Sequence, residues 1–292
     1  MKPASFEYHI PQSLEEALTI KAQHGEEAKI LAGGQSLVPA MNFRVVQPAM
    51  LVDLNRVAEL SFIREEENVI RVGAMARERH LEFDASIEKR IPLLHEAVPN
   101  IAHPQIRNRG TIGGSIVHAD PAAELPMLMV ALSARLKAKN KSAERWIDAK
   151  DFFAGMFTTA LEPDEILVEI EMPFMPPRTG WSFMEVAPRA GDYAMMGVAA
   201  LVTLDDAGKC TSAKLVYLNA GDGPVDAVEA AKSLKGEMLN NKAIESAAAH
   251  ASENEINPFG NIHVSADFQR HLAKALTKRT LNQAIQRAGE LQ

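Results

Sequence analysis

Ala32-Gly33-Gly34-Gln35-Ser36 sits directly between a short apolar run, Ala28-Lys29-Ile30-Leu31, and a helical pattern that begins at Leu37. A strand, a glycine turn and a helix N-terminus in that order make a common anion cradle. Glycine reaches φ > 0 at little steric cost and lets a ligand approach the backbone. Successive N–H groups in such a turn converge on an anion, and the positive end of the following helix points back at it. Ser36 is placed as the helix N-cap. On its own, two glycines before a helix are more often a plain tight turn. A second stretch of the same kind, Gly110-Thr111-Ile112-Gly113-Gly114-Ser115, makes the anion reading worth pursuing.

Composition narrows the partners. The chain has 292 residues, 47% hydrophobic and 24% charged, enough for one large domain or two of moderate size. The formal net charge is −7 with no basic run, which disfavours nucleic acid and anionic membrane surfaces. The single cysteine, Cys210, excludes an internal disulfide and any iron–sulfur or cysteine–zinc site held by this chain alone. Met1-Lys2-Pro3-Ala4 is not followed by an apolar leader, and no apolar run reaches the ~18 residues of a membrane span. A cytoplasmic protein with no membrane span is expected.

In order, Phe6–Ile10 alternates as a strand, and Ser13 with Glu16 forms a capping-box pattern for a helix ending at Gly25. The Ile30–Leu31 strand, the first glycine turn, a helix to about Val45 and a buried strand at Met50–Leu54 complete a β-α-β-α-β unit. A hairpin is expected around Glu65–Asn68, then helices at Arg77–Phe83 and Leu93–Val98. The segment Ile106–Ser115 leads into the second glycine turn. Pro121–Leu132 has helical spacing, and Asp164–Met172 reads as a strand. Pro173, Pro176 and Pro177 mark the domain boundary. Beyond it, strands at Trp181–Val186, Gly197–Leu204 and Ala213–Leu218 precede helices, the last from about Asp267 to Ala288.

Two glycine turns suggest one ligand with two phosphates. Loop 1 offers the N–H groups of Gly33 to Ser36. Loop 2 offers those of Ile112 to Ser115, with the hydroxyls of Thr111 and Ser115. Neither turn carries G-x-G-x-x-G, and a Walker A lysine is absent, so a Rossmann dinucleotide site and ATP hydrolysis are both disfavoured. Asp120, before Pro121, fits an N-cap, and Glu124 fits a contact to a ribose or an adenine amine. Arg107 and Arg109 are surface arginines or phosphate-steering groups. Tyr193, in Gly191-Asp192-Tyr193, is either an ordinary loop tyrosine or a cover for a flat ring. No metal-ligand spacing and no G-x-S-x-G appear, so metal chemistry and nucleophilic hydrolysis have no support.

Four motifs in order, Ala32–Ser36, Arg109–Ser115, Leu161-Glu162-Pro163-Asp164-Glu165-Ile166-Leu167 and Gly191–Tyr193, resemble the flavoprotein (medium) subunit of the molybdenum hydroxylases. That family includes the medium subunits of carbon monoxide dehydrogenase and N-heteroaromatic hydroxylases and the FAD domain of xanthine dehydrogenase. The resemblance covers nearly the whole chain. It implies an α+β fold: a two-lobed FAD-binding domain of the vanillyl-alcohol-oxidase type, then a small α+β C-terminal domain with an antiparallel sheet backed by helices. The expected boundaries are 1–176 (lobe 1 about 1–55, lobe 2 about 56–176) and 177–292.

The resemblance further implies non-covalent FAD. Ala32, Gly33, Gly34, Gln35, Ser36, Gly110, Thr111, Ile112, Gly113, Gly114 and Ser115 would hold its pyrophosphate. Glu124 would lie near the adenosine, Ile166 and Leu167 near the flavin, and Tyr193 beside the isoalloxazine. A lysine that xanthine dehydrogenase-like chains carry near the flavin aligns with Met184, followed here by Glu185, which leaves the acceptor open. The implied role is electron transfer. A large subunit carries molybdenum–pterin, a small one carries two [2Fe–2S] clusters, and electrons leave this chain to NAD or another acceptor. The expected assembly is a dimer of heterotrimers. The competing readings are a flavin-free scaffold bridging the partner chains and a stand-alone FAD oxidase of the same wider fold.

Overall fold

Met50–Asp53 is buried at all four positions and becomes the centre of a sheet. In the computed structural model, which describes residues 1–290, β1 (Glu7–His9), β2 (Ala28–Leu31) and β3 (Met50–Asp53) form a parallel sheet in the order β1-β3-β2. A strand flanked on both sides reads as a continuous apolar run, as this one does. The connections are the helix Leu14–His24 and the short helix Leu37–Asn42. Ser13 Oγ accepts from the Glu16 N–H at 3.2 Å, while Glu16 Oε2 accepts from Gln12 rather than from Ser13, so half of the expected box forms. The second helix stops short of Val45 because Arg44 takes φ 57 and turns its N–H back to the Met41 carbonyl.

β4 (Ile63–Glu65), β5 (Val69–Gly73), β6 (Arg135–Lys139) and β7 (Glu144–Asp148) come next. A small hairpin of β8 (Phe153–Gly155) and β9 (Thr158–Thr159) precedes β10 (Ile166–Pro173). β10 is central in an antiparallel sheet ordered β4-β5-β10-β6-β7. Ile166 and Val168 of β10 share a core with Ala28, Met50 and Val52 of the parallel sheet and with Ala17 and Leu18 of the first helix. Each such large apolar side chain contributes about 1.5–3 kcal/mol on burial.

The chain divides into two compact units. The first comprises Met1–Asp84, His103–Ala119 and Ala134–Pro173. The second comprises Ala85–Ala102, Asp120–Ser133 and the chain from Phe174 onward. In the second unit, β11 (Thr179–Val186), β12 (Met196–Leu204), β13 (Cys210–Leu218) and β14 (Val225–Asp226) form an antiparallel meander. The helix Ala266–Glu290 packs across β11 and β12. Inside that core Tyr217 and Thr277 share a hydrogen bond of 2.7 Å, as do Ser182 and Gln283. The helix Glu124–Ala131, buried at all eight positions, packs on β13. Among the described residues no helix is long and apolar enough to cross a membrane, and no group of three or more His, Cys, Asp or Glu is placed to hold a metal ion.

Candidate functional site: two glycine segments in one unit

Both glycine segments lie in the first unit, in contact. A Cβ at Gly33 would fall 2.4 Å from the Arg109 carbonyl oxygen, so only glycine fits where loop 1 meets loop 2. Gly34 has φ +76, and the Gln35 amide donates back to the Gly33 carbonyl at 3.1 Å. Among the described residues, the N–H groups of Gly33, Gly34, Gln35 and Ser36 meet no protein acceptor. Ser36 stands at the N-cap position but makes no capping bond, which leaves its hydroxyl for another partner.

Loop 2 departs from expectation. It is the first turn of the helix Ile112–His118, and what precedes it is the short helix Pro104–Arg107, not a strand. Its N–H groups are all engaged. Ile112 donates to Ala76, Gly113 to Ala74, Ser115 to the Thr111 carbonyl, and Gly114 to Thr111 Oγ1 at 3.1 Å. Thr111 is therefore the helix cap, a bond that contributes about 1 kcal/mol. Its hydroxyl proton and the Ser115 hydroxyl remain available, so loop 2 presents hydroxyls and small surfaces while loop 1 presents N–H groups. Gly110 to Gly113 are buried, whereas Gly114 and Ser115 are half-exposed.

A brace that the sequence did not reveal joins the loops. Asn55 donates to the Ala32 carbonyl at 2.9 Å. Arg77 donates to Asn55 Oδ1 at 2.6 Å and, through its other nitrogen, to the Arg109 carbonyl. Asp53 orients Asn55 by accepting its backbone N–H at 2.8 Å, and Tyr8 donates to Asp53 in turn. Burial, then the nearby Arg109, lowers the Arg77 pKa, yet a guanidinium keeps its charge. Its charge stands beside a groove built from uncharged backbone. The only local hint was Asp-x-Asn at the end of an apolar strand, and the pairing with Arg77 depends on the fold.

The other expected residues fall as follows. Arg107 is 4% exposed and bound to Glu82 at 3.0 and 3.3 Å, so it is a buried structural ion pair rather than a surface or phosphate-steering arginine. Asp120 does not cap the next helix, whose N-cap is Ala123; it accepts the Ala122 N–H at 2.9 Å in an Asx turn. Ile166 and Leu167 are buried in the first unit. In their motif, Glu165 accepts from Arg145 at 2.8 Å through both oxygens and from the Glu162 N–H at 2.8 Å, which shapes the turn into β10.

Glu124, Glu185 and Tyr193 belong to the second unit. Glu124 is buried, and Tyr193 is 71% exposed on its loop. Partial desolvation, then the carboxylates of Asp120 and Glu124, raise the Tyr193 pKa. Glu185 faces Gly197 across the β11–β12 pair, and its Oε2 is buried without a hydrogen-bond partner among the described residues. Burial, then Glu124, pushes its carboxyl up to about 8, so it is protonated at neutral pH. Met184 packs against the core of the unit. Cys210 is buried and its thiol pushed up to about 11, which makes it inert.

The first-unit residues fit a pyrophosphate. A side chain at Gly114 would start 2.7 Å from Thr111 Oγ1 and 3.4 Å from the Ala32 Cβ, filling the groove that the loop 1 donors border. Comparison with known proteins gives the family. Residues 4–175 match the family described as the FAD binding domain in molybdopterin dehydrogenase, and residues 181–284 match the CO dehydrogenase flavoprotein C-terminal domain. The chain belongs to the FAD-binding medium subunits of the molybdenum hydroxylases.

A similar member of this family is the 6-hydroxypseudooxynicotine dehydrogenase complex subunit alpha of Paenarthrobacter nicotinovorans. It is 43% identical over 288 residues, covering 99% of this chain and 97% of that one. Among solved structures, carbon monoxide dehydrogenase from Hydrogenophaga pseudoflava matches with a TM-score of 0.95 and 37% identity over 98% of this chain and 99% of that one. Quinoline 2-oxidoreductase from Pseudomonas putida 86 matches with a TM-score of 0.93 and 37% identity over 99% of each chain. The medium subunit is thus an α+β FAD-binding protein and part of an oxidoreductase, with molybdenum–pterin and iron–sulfur centres carried by other subunits in this family.

Proposed function

We propose that this medium subunit is the electron-transfer station between [2Fe–2S] clusters of a small partner subunit and NAD or another acceptor, with substrate oxidised at molybdenum in a large partner subunit. The observation that carries the site is the braced pair of glycine segments, with four unpartnered N–H groups on one side and hydroxyls on the other. When bound, FAD supplies the one- and two-electron chemistry, and the protein supplies position, shielding and electrostatics.

The chain's residues take these roles in our reading. Gly33, Gly34, Gln35 and Ser36 donate to the pyrophosphate, and Ala32 fixes loop 1 through its carbonyl. Thr111 and Ser115 add hydroxyl donors. Gly110, Ile112, Gly113 and Gly114 keep that wall close and free of side chains. Glu124 accepts from the adenosine, Ile166 and Leu167 pack near the flavin, and Tyr193 places its ring beside the isoalloxazine. FAD is held without a covalent bond. The complex is a cytoplasmic dimer of heterotrimers.

The direct test is the purified complex: it is yellow, and denaturation releases free FAD. Gly114→Asp puts a carboxylate in the groove, and FAD occupancy falls by at least tenfold. A variant that keeps full occupancy refutes the loop assignment. A colourless complex that takes up no added FAD refutes the whole reading.

A further inference from the structure

The chain leaves β11 at Val186 and comes back beside it at Met195, one residue before β12, where the Met195 N–H donates to the Val186 carbonyl at 2.7 Å. Tyr193 stands on the loop between. The base of that loop is tied to two residues outside it, Asn219 and Gln269. Asn219 follows β13 with φ 54, a left-handed conformation that asparagine tolerates better than most residues. Its side-chain amide donates to the Ala194 carbonyl at 2.8 Å and the Met195 carbonyl at 3.2 Å. Its backbone N–H donates to the Pro121 carbonyl at 2.7 Å. Gln269, 1% exposed on the long C-terminal helix, locks the knot: its amide donates to the Met195 carbonyl at 2.9 Å and the Asn219 carbonyl at 3.0 Å. The Gln269 oxygen accepts the Gly260 N–H at 2.9 Å, which fixes the orientation of the amide.

Two segments therefore meet at Asn219. One runs from Asp120 through Pro121 to Glu124, and the other carries Tyr193. The carboxylates of Asp120 and Glu124 reach the Tyr193 phenol electrostatically, so the distance between the segments sets the field at that ring. Without Asn219 the carbonyls of Ala194 and Met195 lose side-chain donors beside buried residues, where an unpaired acceptor is costly.

We infer that Asn219, locked by Gln269, is a positioning residue that holds the Tyr193 loop against the Asp120–Glu124 segment and thereby fixes the ring that lies beside the flavin. The inference rests on Tyr193 having that place in the proposed function. Asn219 acts in this reading through the Tyr193 loop, to whose base its amide is bonded.

The test uses the FAD-loaded complex. Asn219→Gly keeps the left-handed backbone and removes only the amide. Gln269→Glu keeps the acceptor for Gly260 and removes both donated bonds, and it carries the test if the first variant does not fold. Hydrogen–deuterium exchange over 189–196 accelerates by about tenfold or more, as the loss of two amide bonds implies, while 198–203 in β12 stays protected. The visible circular dichroism of bound FAD shifts in the same sense as in Tyr193→Ala. Unchanged exchange in the variants overturns the inference. So does faster exchange with an unchanged flavin spectrum where Tyr193→Ala changes it. An unchanged spectrum in Tyr193→Ala itself overturns the Tyr193 assignment instead, and that result does not depend on Asn219.

Discussion

Glu185→Gln isolates one buried charge. Glu185 rests under Gly197 with one oxygen lacking a partner among the described residues, and its carboxyl titrates at about 8 instead of the ordinary 4.5. Between those values the folded protein holds the proton and the unfolded chain has released it. The unfolded state binds fewer protons, so stability falls as pH rises through this window and the loss is complete above the folded value. Each pH unit in the window removes about 1.4 kcal/mol, so the full span from 4.5 to about 8 amounts to on the order of 5 kcal/mol. Glutamine matches the protonated acid in shape and cannot ionise. The variant and the parent therefore have similar stability near pH 5, and the variant is more stable by several kcal/mol at pH 8.5. Urea denaturation at pH 5.5, 7.0 and 8.5 with saturating FAD throughout measures the difference. A difference that stays constant with pH refutes the buried-acid argument. Glu124→Gln removes the second cause of the shift and narrows the window from its alkaline end.

Gly33→Ala drives a methyl into the Arg109 carbonyl and separates the glycine segments, with a cost of about 1–3 kcal/mol in stability and a measurable fall in FAD affinity by equilibrium titration. An alanine variant with unchanged affinity and melting temperature contradicts that close approach. Arg77→Ala leaves Asn55 and the Arg109 carbonyl without their shared donor. FAD dissociation then accelerates by about tenfold or more, and added salt does not restore it, because the loss is of geometry as well as charge. Dissociation rates followed by flavin fluorescence decide this, and parental rates would remove the brace from the site.

Much of the architecture was legible because it depends on local pattern. The run Met50–Asp53 is buried throughout and reads so, and the alternation of Val198, Ala200, Val202 and Leu204 puts one face of β12 in the core. What stayed hidden depends on partners distant in sequence. Helical spacing carries on past Asn42, but the left-handed turn at Arg44 is invisible in that spacing. Gly110–Ser115 resembles loop 1 in composition, yet the carbonyls of Ala74 and Ala76 and the Thr111 hydroxyl claim its N–H groups and make it a helix turn. Arg107 looks like any surface arginine until Glu82 is brought beside it. The Asn55–Arg77 brace joins residues whose polar groups have no reason to meet until the parallel sheet forms.

The discontinuity of the second unit has a consequence for how the protein is made. After Glu124, the helix Glu124–Ala131 is apolar at every position, and the strand it packs on, Cys210–Leu218, is synthesised much later. At ribosomal speeds of ~5–20 residues per second, that helix waits roughly 4–17 seconds for its partner strand. During that interval the growing chain carries an apolar segment whose partner strand is still missing, with Val98–Asn100 of the earlier chain packed beside it. Nascent chains stalled before β13 are therefore expected to bind a chaperone more strongly than chains stalled after the meander is complete.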